Sequence, residues 1–221
     1  KYPEYLKETL ILCRYDDYRT ILKAQEAIDA VRLPNIHVVT FEGDIVNKPH
    51  ALNIGLKRAE KDIIVVFDAE DEPHSDIYKI VNTVLVRDNP DVIQSGVQLM
   101  NFRSNWFATL NVLEYFFWFK SSLQFFANLG FILLGGNTVF IKKYWLRHVG
   151  GWDEACLTED ADLGIRLSVT KAKMKVIYDE LHTTREETPG SVSSFIRQRT
   201  RWNQGFLQVF FKGDWLHLPK L

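Results

Sequence analysis

Three acid clusters, one lysine and a Gln/Arg/Trp stretch hold most of the side chains in this chain that could do chemistry. Asp68-Ala69-Glu70-Asp71 follows the continuous apolar run Ile63-Ile64-Val65-Val66-Phe67. Hard oxygen ligands after a buried strand, Asp68 with Glu70 or Asp71, can hold Mg2+ or Mn2+ against a diphosphate and offset the charge of a departing nucleotide. The same acids also suit a solvated turn entering a helix N-terminus. Asp16-Asp17 ends an earlier apolar run beginning at Thr9. A strand-end acid can take a ribose hydroxyl or a base edge, or form the turn ahead of the next helix. Lys48 stands just before a predicted helix, where a phosphate would meet both the ammonium and the helix N-terminus; the alternative is an ordinary surface lysine.

Thr158-Glu159-Asp160 offers a carboxylate that could take a proton from a hydroxyl. It equally suits an N-cap, Thr158, followed by acids that complement the helix dipole. In Gln198-Arg199-Thr200-Arg201-Trp202, a helix would put Gln198, Arg201 and Trp202 at i, i+3 and i+4, on one face. Beside that face the spacing predicts an apolar stripe of Val192, Phe195, Ile196, Phe206, Val209 and Phe210. Arg can clamp phosphate and Trp can stack on a sugar; a half-buried Trp with a snorkelling Arg is the other reading.

The elements that must position these groups alternate. Strands are predicted over 9–13, 36–40, 63–67 and 92–97. Helices are predicted over 21–31, 51–59 and 76–87, the last capped by Ser75, with a polar loop from Glu42 to Pro49. Alternation of this kind predicts an α/β fold, a largely parallel sheet flanked by helices. Ligands of such sheets sit at the carboxyl ends of the strands, where Asp16-Asp17 and Asp68 to Asp71 both fall. Further helices are predicted from near Thr158 and from Ser191 to Lys212.

The 221 residues suit one domain, and 46% apolar with 25% charged residues is a globular composition. A formal net charge of −1 gives no basic excess for a nucleic acid. Cys13 and Cys156 have no metal-binding spacing, and no GxGxxG suggests a dinucleotide. No uninterrupted apolar run of about 20 residues exists; the nearest, Trp106 to Leu134, is broken by Glu114 and Lys120. The abrupt ends, Lys1-Tyr2-Pro3 and Leu218-Pro219-Lys220-Leu221, read as those of a piece of a longer protein.

Taken in order, Asp16-Asp17, Lys48, Asp68-Ala69-Glu70, Thr158-Glu159-Asp160 and Gln198/Arg201/Trp202 resemble the motif series of the family 2 glycosyltransferases. The likeness is to the processive synthases of the bacterial cellulose and poly-N-acetylglucosamine type. It implies a GT-A fold, Rossmann-like, and an inverting transfer from a nucleotide-sugar donor, usually a UDP-sugar, to a glycan acceptor. It implies that residues 1–100 bind the donor and 101–221 the acceptor. Asp16 or Asp17 would contact the nucleoside and Lys48 the diphosphate, with Asp68 and either Glu70 or Asp71 holding the metal. Asp160 would be the general base, and Gln198 and Arg201 would line the donor site. Trp202, with Gly136, Asn137 and Glu159, would serve the acceptor. The Phe/Trp-rich segment resembles helices lying on a membrane surface, at the cytoplasmic face of the inner membrane; a buried helical hairpin is the alternative. The family's opening strand and its Pro-x-Tyr-Asn-Glu-like turn are absent, which predicts poor donor binding by this stretch alone. Two rival readings stand beside the resemblance: a non-catalytic nucleotide-binding module, and an aspartate-nucleophile phosphatase opening at Val65-Val66-Phe67-Asp68.

Overall fold

The computed structural model describes residues 2–43 and 45–219. Lys1, Lys220 and Leu221 at the abrupt ends, and Asp44 in the Glu42–Pro49 loop, lie outside them. β1 (Thr9–Arg14) and β2 (Ile36–Phe41) pair in parallel and are joined by α1 (Tyr18–Val31). Asp17 starts that helix: its carboxylate accepts from the Thr20 amide at 3.1 Å and the Thr20 hydroxyl at 2.6 Å. α2 (Lys48–Arg58) begins three residues before its predicted start, because Asn47 caps it and Pro49 fits its first turn.

β3 (Ile63–Val66) is followed by α3 (Ile77–Asp88). Asp76, not Ser75, is the N-cap residue of α3, and no side chain closes the cap. The predicted strand 92–97 is two strands, β4 (Val92–Ser95) and β5 (Val97–Leu99), divided at Gly96. A Cβ on Gly96 would lie 2.6 Å from the Tyr178 ring, so only glycine lets the chain pass there. Next come α4 (Ala108–Phe117), a π-helical turn over Trp118–Ser122, and α5 (Leu123–Asn128). β6 (Val139–Lys142), α6 (Lys143–His148), α7 (Glu159–Val169), β7 (Met174–Ile177), β8 (Thr184–Glu186) and α8 (Val192–Lys212) complete the order.

The central sheet runs β3–β6–β4–β7, and β5 pairs with β8. β3, β4 and β7 run in one direction, as a largely parallel sheet requires, and β6 is the exception, antiparallel to both neighbours. The reason is local. The chain leaving α5 meets the carboxyl end of β3, where the Thr138 amide donates to the Val66 carbonyl at 2.8 Å. From there β6 can only run back along β3. The segment 134–138 is thereby laid along the edge where ligands of such sheets bind.

One apolar core joins both halves of the chain: Leu56, Val92, Phe119, Ile141, Leu163 and Val176 belong to the same cluster. The segment from Trp106 through α5 buries Ala108, Phe119 and Leu123 but leaves Trp106, Leu110, Leu113 and Phe117 exposed at helical spacing. The segment is thus neither a fully buried hairpin nor free of the core. Among the described residues no helix is long and apolar enough to cross a membrane. α8 presents Phe195, Gln198, Arg199, Trp202, Gly205 and Val209 inward. Val192, Ile196, Phe206 and Phe210 of the predicted stripe are exposed instead.

Two contacts fix the helices that carry the chemistry. The first seats α2. Glu154 takes the His50 Nδ1 at 2.9 Å and the Asn53 amide at 2.8 Å, while Asn53 also bonds both backbone groups of Trp152. His50 Nε2 faces the Glu42 carbonyl at 3.1 Å. Both ring nitrogens therefore face acceptors, which favours the doubly protonated imidazolium; the Glu154 carboxylate, then the Glu42 carbonyl, hold the His50 pKa above its usual value. A raised histidine contributes stability that is complete below its unfolded value, about 6.5, and is lost as pH rises through the higher folded value. His50→Gln is expected to remove that alkaline loss, read from urea unfolding midpoints across pH 6 to 9; an unchanged pH profile would contradict it.

The second contact is Gly205, where α8 crosses the start of α7. A Cβ there would stand 2.4 Å from Thr158 Cγ2. Gly→Ala in a helix gains about 1 kcal/mol of propensity, but overpacking costs about 1–3 kcal/mol. Gly205→Ala is expected to destabilise by up to about 2 kcal/mol in denaturant titration; a stabilised variant would show that α8 is free to shift.

Candidate active site

At the head of α2, Lys48 Nζ forms an ion pair with Asp68 Oδ1, just past the end of β3. Burial alone would lower the Lys48 pKa, but Asp68, helped by Glu159 and Asp160, outweighs it and raises it. The Asp68 amide donates to Asp71 Oδ2 at 2.8 Å and the Asp71 amide returns to the Asp68 carbonyl at 3.1 Å. This tight turn points Asp71 inward and leaves Glu70 exposed. Asp71 Oδ1 accepts from Asn137 Nδ2 at 3.2 Å. Burial, then the repulsion of Asp68 and Glu70, pushes the Asp71 carboxyl up to about 6.

α7 brings the second acid pair to the same place. Thr158 is its N-cap residue, but the hydroxyl makes no capping bond. Asp160 Oδ1 accepts from the Ala161 amide at 2.8 Å. Its Oδ2 faces Gly136, where a Cβ would be only 2.7 Å away and φ is +79°, so both space and backbone require glycine. Burial raises the Asp160 pKa. Burial, with Asp160 next to it, pushes Glu159 up to about 7. Lys48 is the cation that acts on all of Asp71, Glu159 and Asp160.

On α8 the inward arginine is Arg199, not Arg201. Arg199 grips both Glu114 oxygens, at 2.9 and 2.7 Å, reaches Asn111, and lies 4.9 Å from the Phe195 ring centre and 4.4 Å from that of Trp202. Arg201 is exposed. The inward stripe passes through 195, 198–199, 202, 205 and 209, and position 201 falls outside it. Trp202 stands 6.3 Å from the Tyr115 ring of α4. Tyr115, raised by burial and by Glu186, is also within electrostatic reach of Asp71. The Trp202 side and the acid side therefore share one neighbourhood.

Asp16 and Asp17 lie at the same end of the parallel pair but are bonded locally. Asp16 pairs with Arg14, which holds its carboxyl below the usual range, and Asp17 caps α1. Among the described residues no hydrogen bond or ion pair ties them to Asp68.

Glu186 and Tyr115 belong to the site without having stood out in the sequence. Burial, then Asp71, Asp68 and Glu70, pushes Glu186 up to about 7. In Thr184-Arg185-Glu186-Glu187 it reads as a charged turn. Only the β5–β8 pairing, and the bridge between Glu72 and Arg185, brings it to the acids. Tyr115 reads as one aromatic among many.

Four of six buried side-chain atoms without partners among the described residues, Asn137 Oδ1, Thr158 Oγ1, Gln198 Oε1 and Arg199 Nε, belong to these segments, while Asn35 Oδ1 and Tyr178 Oη lie elsewhere. Such atoms are uncommon in folded proteins and call for an explanation, such as a ligand or ordered water. A separate cleft of about 380 Å³, lined by Gly150, Trp152, Arg166 and Lys212, has its cations already committed. There Asp162 takes Arg166 at 2.7 Å and Lys212 at 2.5 Å.

Among the described residues no three acidic, histidine or cysteine groups converge into a preformed metal site. The donor set nevertheless fits Mg2+ or Mn2+. Asp71 is oxygen-ligating and crowded by like charge, and such ions are commonly held by one or two carboxylates completed by substrate phosphates.

The chain is similar to known proteins in sequence and in fold. A beta-monoglucosyldiacylglycerol synthase from Trichormus variabilis is 28% identical over 165 residues, 74% of this chain and 34% of that protein. The chain thus spans about a third of the length of the curated relatives it matches first. A mannosyltransferase from Pyrobaculum calidifontis, solved with GDP-Man and Mn2+, superposes with a TM-score of 0.74 at 18% identity, over 96% of this chain and 56% of its own. TarS of S. aureus, solved with UDP-GlcNAc, gives 0.64 at 14% identity, over 86% and 52%. These likenesses show a GT-A fold. The sequence model of the family described as "Glycosyltransferase like family 2" matches residues 2–205, and the chain belongs to that family.

Proposed function

We propose that the chain is the catalytic domain of an inverting hexosyltransferase that moves a sugar from a nucleotide donor to an acceptor hydroxyl. The observation that carries this is the gathering of Lys48, Asp68, Asp71, Glu159 and Asp160, three of them with raised carboxyl pKa values, at one sheet edge. Perturbed acids around a single cation are the signature of a working site. Family membership sets aside the phosphatase reading of the Asp68 stretch.

Lys48 suits the donor diphosphate, since it heads a helix whose N-terminus adds to its charge. Asp71, with Asp68 beside it, would hold the divalent cation, which when bound offsets charge on the departing diphosphate. Asp160 takes the proton from the acceptor hydroxyl as that oxygen bonds to the anomeric carbon. The bond from that carbon to the diphosphate oxygen breaks, and its electron pair leaves with the nucleotide. A base whose pKa is lifted toward neutrality is better matched to this transfer than an ordinary carboxylate. Trp202, locked by Arg199 and backed by Tyr115, supplies a rigid ring for the acceptor side.

The relative named as a glucosyldiacylglycerol synthase supports an acceptor presented at a lipid surface, and the exposed Trp106, Leu110, Leu113 and Phe117 are consistent with one. A cytoplasmic-face location and a glycan acceptor belong to the same proposal.

In the whole protein, Asp160→Asn is expected to cut transfer by about 100-fold or more while donor binding, followed by calorimetry, persists. Wild-type turnover would refute the base. Chelation with EDTA should abolish nucleotide release and Mn2+ should restore it; full activity in EDTA would remove the metal from the scheme.

A further inference from the structure

We propose that Gln94 is a positioning residue for the proton transfer: its amide clamps the backbone on both sides of Gly136 and so fixes the wall against which the Asp160 carboxylate works. The inference rests on Asp160 being the base.

Gln94 is 0% exposed, a polar side chain within the buried strand Val92-Ile93-Gln94-Ser95. Its Oε1 accepts from the Gly135 amide at 2.8 Å. Its Nε2 donates to the Asn137 carbonyl at 3.0 Å and the Ser95 carbonyl at 3.0 Å. One side chain thus holds the residue before Gly136 and the residue after it. Only a group with a donor and an acceptor at that reach can do both, which is the amide's property. Strand packing alone gives no reason for it, since an apolar side chain of similar size would avoid desolvating an amide.

What the clamp controls is a strained backbone that is otherwise anchored mainly at Thr138, by Val66, Ser95 and Thr184. Gly136 and Thr138 both have positive φ, +79° and +50°, the latter costly for a β-branched residue. The Asn137 amide turns back on the Gly135 carbonyl at 3.0 Å. Gly136 lies against Asp160 Oδ2, and the Asn137 side chain reaches Asp71. One buried amide therefore bears on the contact of the loop with the base and with the Asp68–Asp71 turn together. The charged groups acting on Asp160 are Glu159 on its own helix, Lys48 from α2 and Asp68 beyond β3. Gln94 is neutral and acts on the carboxylate only by keeping the loop closed over it.

Releasing the clamp opens the half-buried Asp160 further to water and favours its charged form. The test uses the whole protein with Gln94→Met and Gln94→Glu. Amide hydrogen exchange over 133–139 is read without substrate. The pH dependence of nucleotide release is read from UDP-glucose, GDP-mannose or UDP-N-acetylglucosamine, whichever the wild type turns over. Gln94→Met should still unfold cooperatively. Its exchange in 133–139 should rise about tenfold, as for one or two lost hydrogen bonds. Its acid limb should move to lower pH with reduced kcat. Buried Glu is favoured in its neutral form, which offers one O–H donor and one carbonyl acceptor, so Gln94→Glu should recover protection and activity at pH 6. Wild-type exchange in a folded Gln94→Met overturns the proposal. So does raised exchange with kcat and acid limb unmoved, the outcome of a purely structural role. Wild-type turnover by Asp160→Asn would instead sink the base assignment, whatever the Gln94 variants do.

Discussion

One ammonium group standing among too many carboxylates is the constraint on which the rest of the molecule turns. Lys48 is paired with Asp68 and also acts on Asp71, Glu159, Asp160 and Glu186. A single positive charge cannot balance that set. Burial first, and the like charges second, put Asp71 at about 6 and Glu159 and Glu186 at about 7. Buried like charges oppose folding. A chain that keeps them is bearing a cost that a bound divalent cation would offset.

Holding that set together is mostly the work of backbone geometry. The acids come from the loop after β3, the start of α7 and the end of β8, three places far apart in the sequence. β6 must run antiparallel so that segment 134–138 lies across the edge, and glycine at 136 lets it lie directly on Asp160. Glycine at 205 lets α8 rest on the start of α7, which brings Gln198, Arg199 and Trp202 to the same region. The His50–Glu154–Asn53 network does the same for α2, seating the helix whose first residue is Lys48.

Much of this was legible in the sequence, for identifiable reasons. Apolar runs ending in acids marked strand ends at the ligand edge, and the span predicted from Ser191 to Lys212 agrees with α8, which the structure caps with Ser191 and Gly213. What could not be read depended on contacts between distant segments. Gln198, Arg201 and Trp202 satisfy helical spacing, yet the buried stripe passes through Arg199, because α4 offers Glu114 and Asn111 on that side. Glu186 became visible only through the pairing of β8 with β5. The direction of β6 follows from where α5 releases the chain, which no local pattern encodes. Asp16 and Asp17 show the reverse case, in which a motif-like pair is largely occupied by its own neighbours.

The most direct measurement is a crystal structure of the protein grown with Mn2+ and a nucleoside diphosphate, UDP or GDP. The account predicts an anomalous manganese peak on Asp71 or Asp68, with the diphosphate in contact with Lys48 and its terminal phosphate directed toward Asp160. A nucleotide seated instead in the cleft between Gly150, Arg166 and Lys212, with no metal at the Asp68–Asp71 turn, would contradict it.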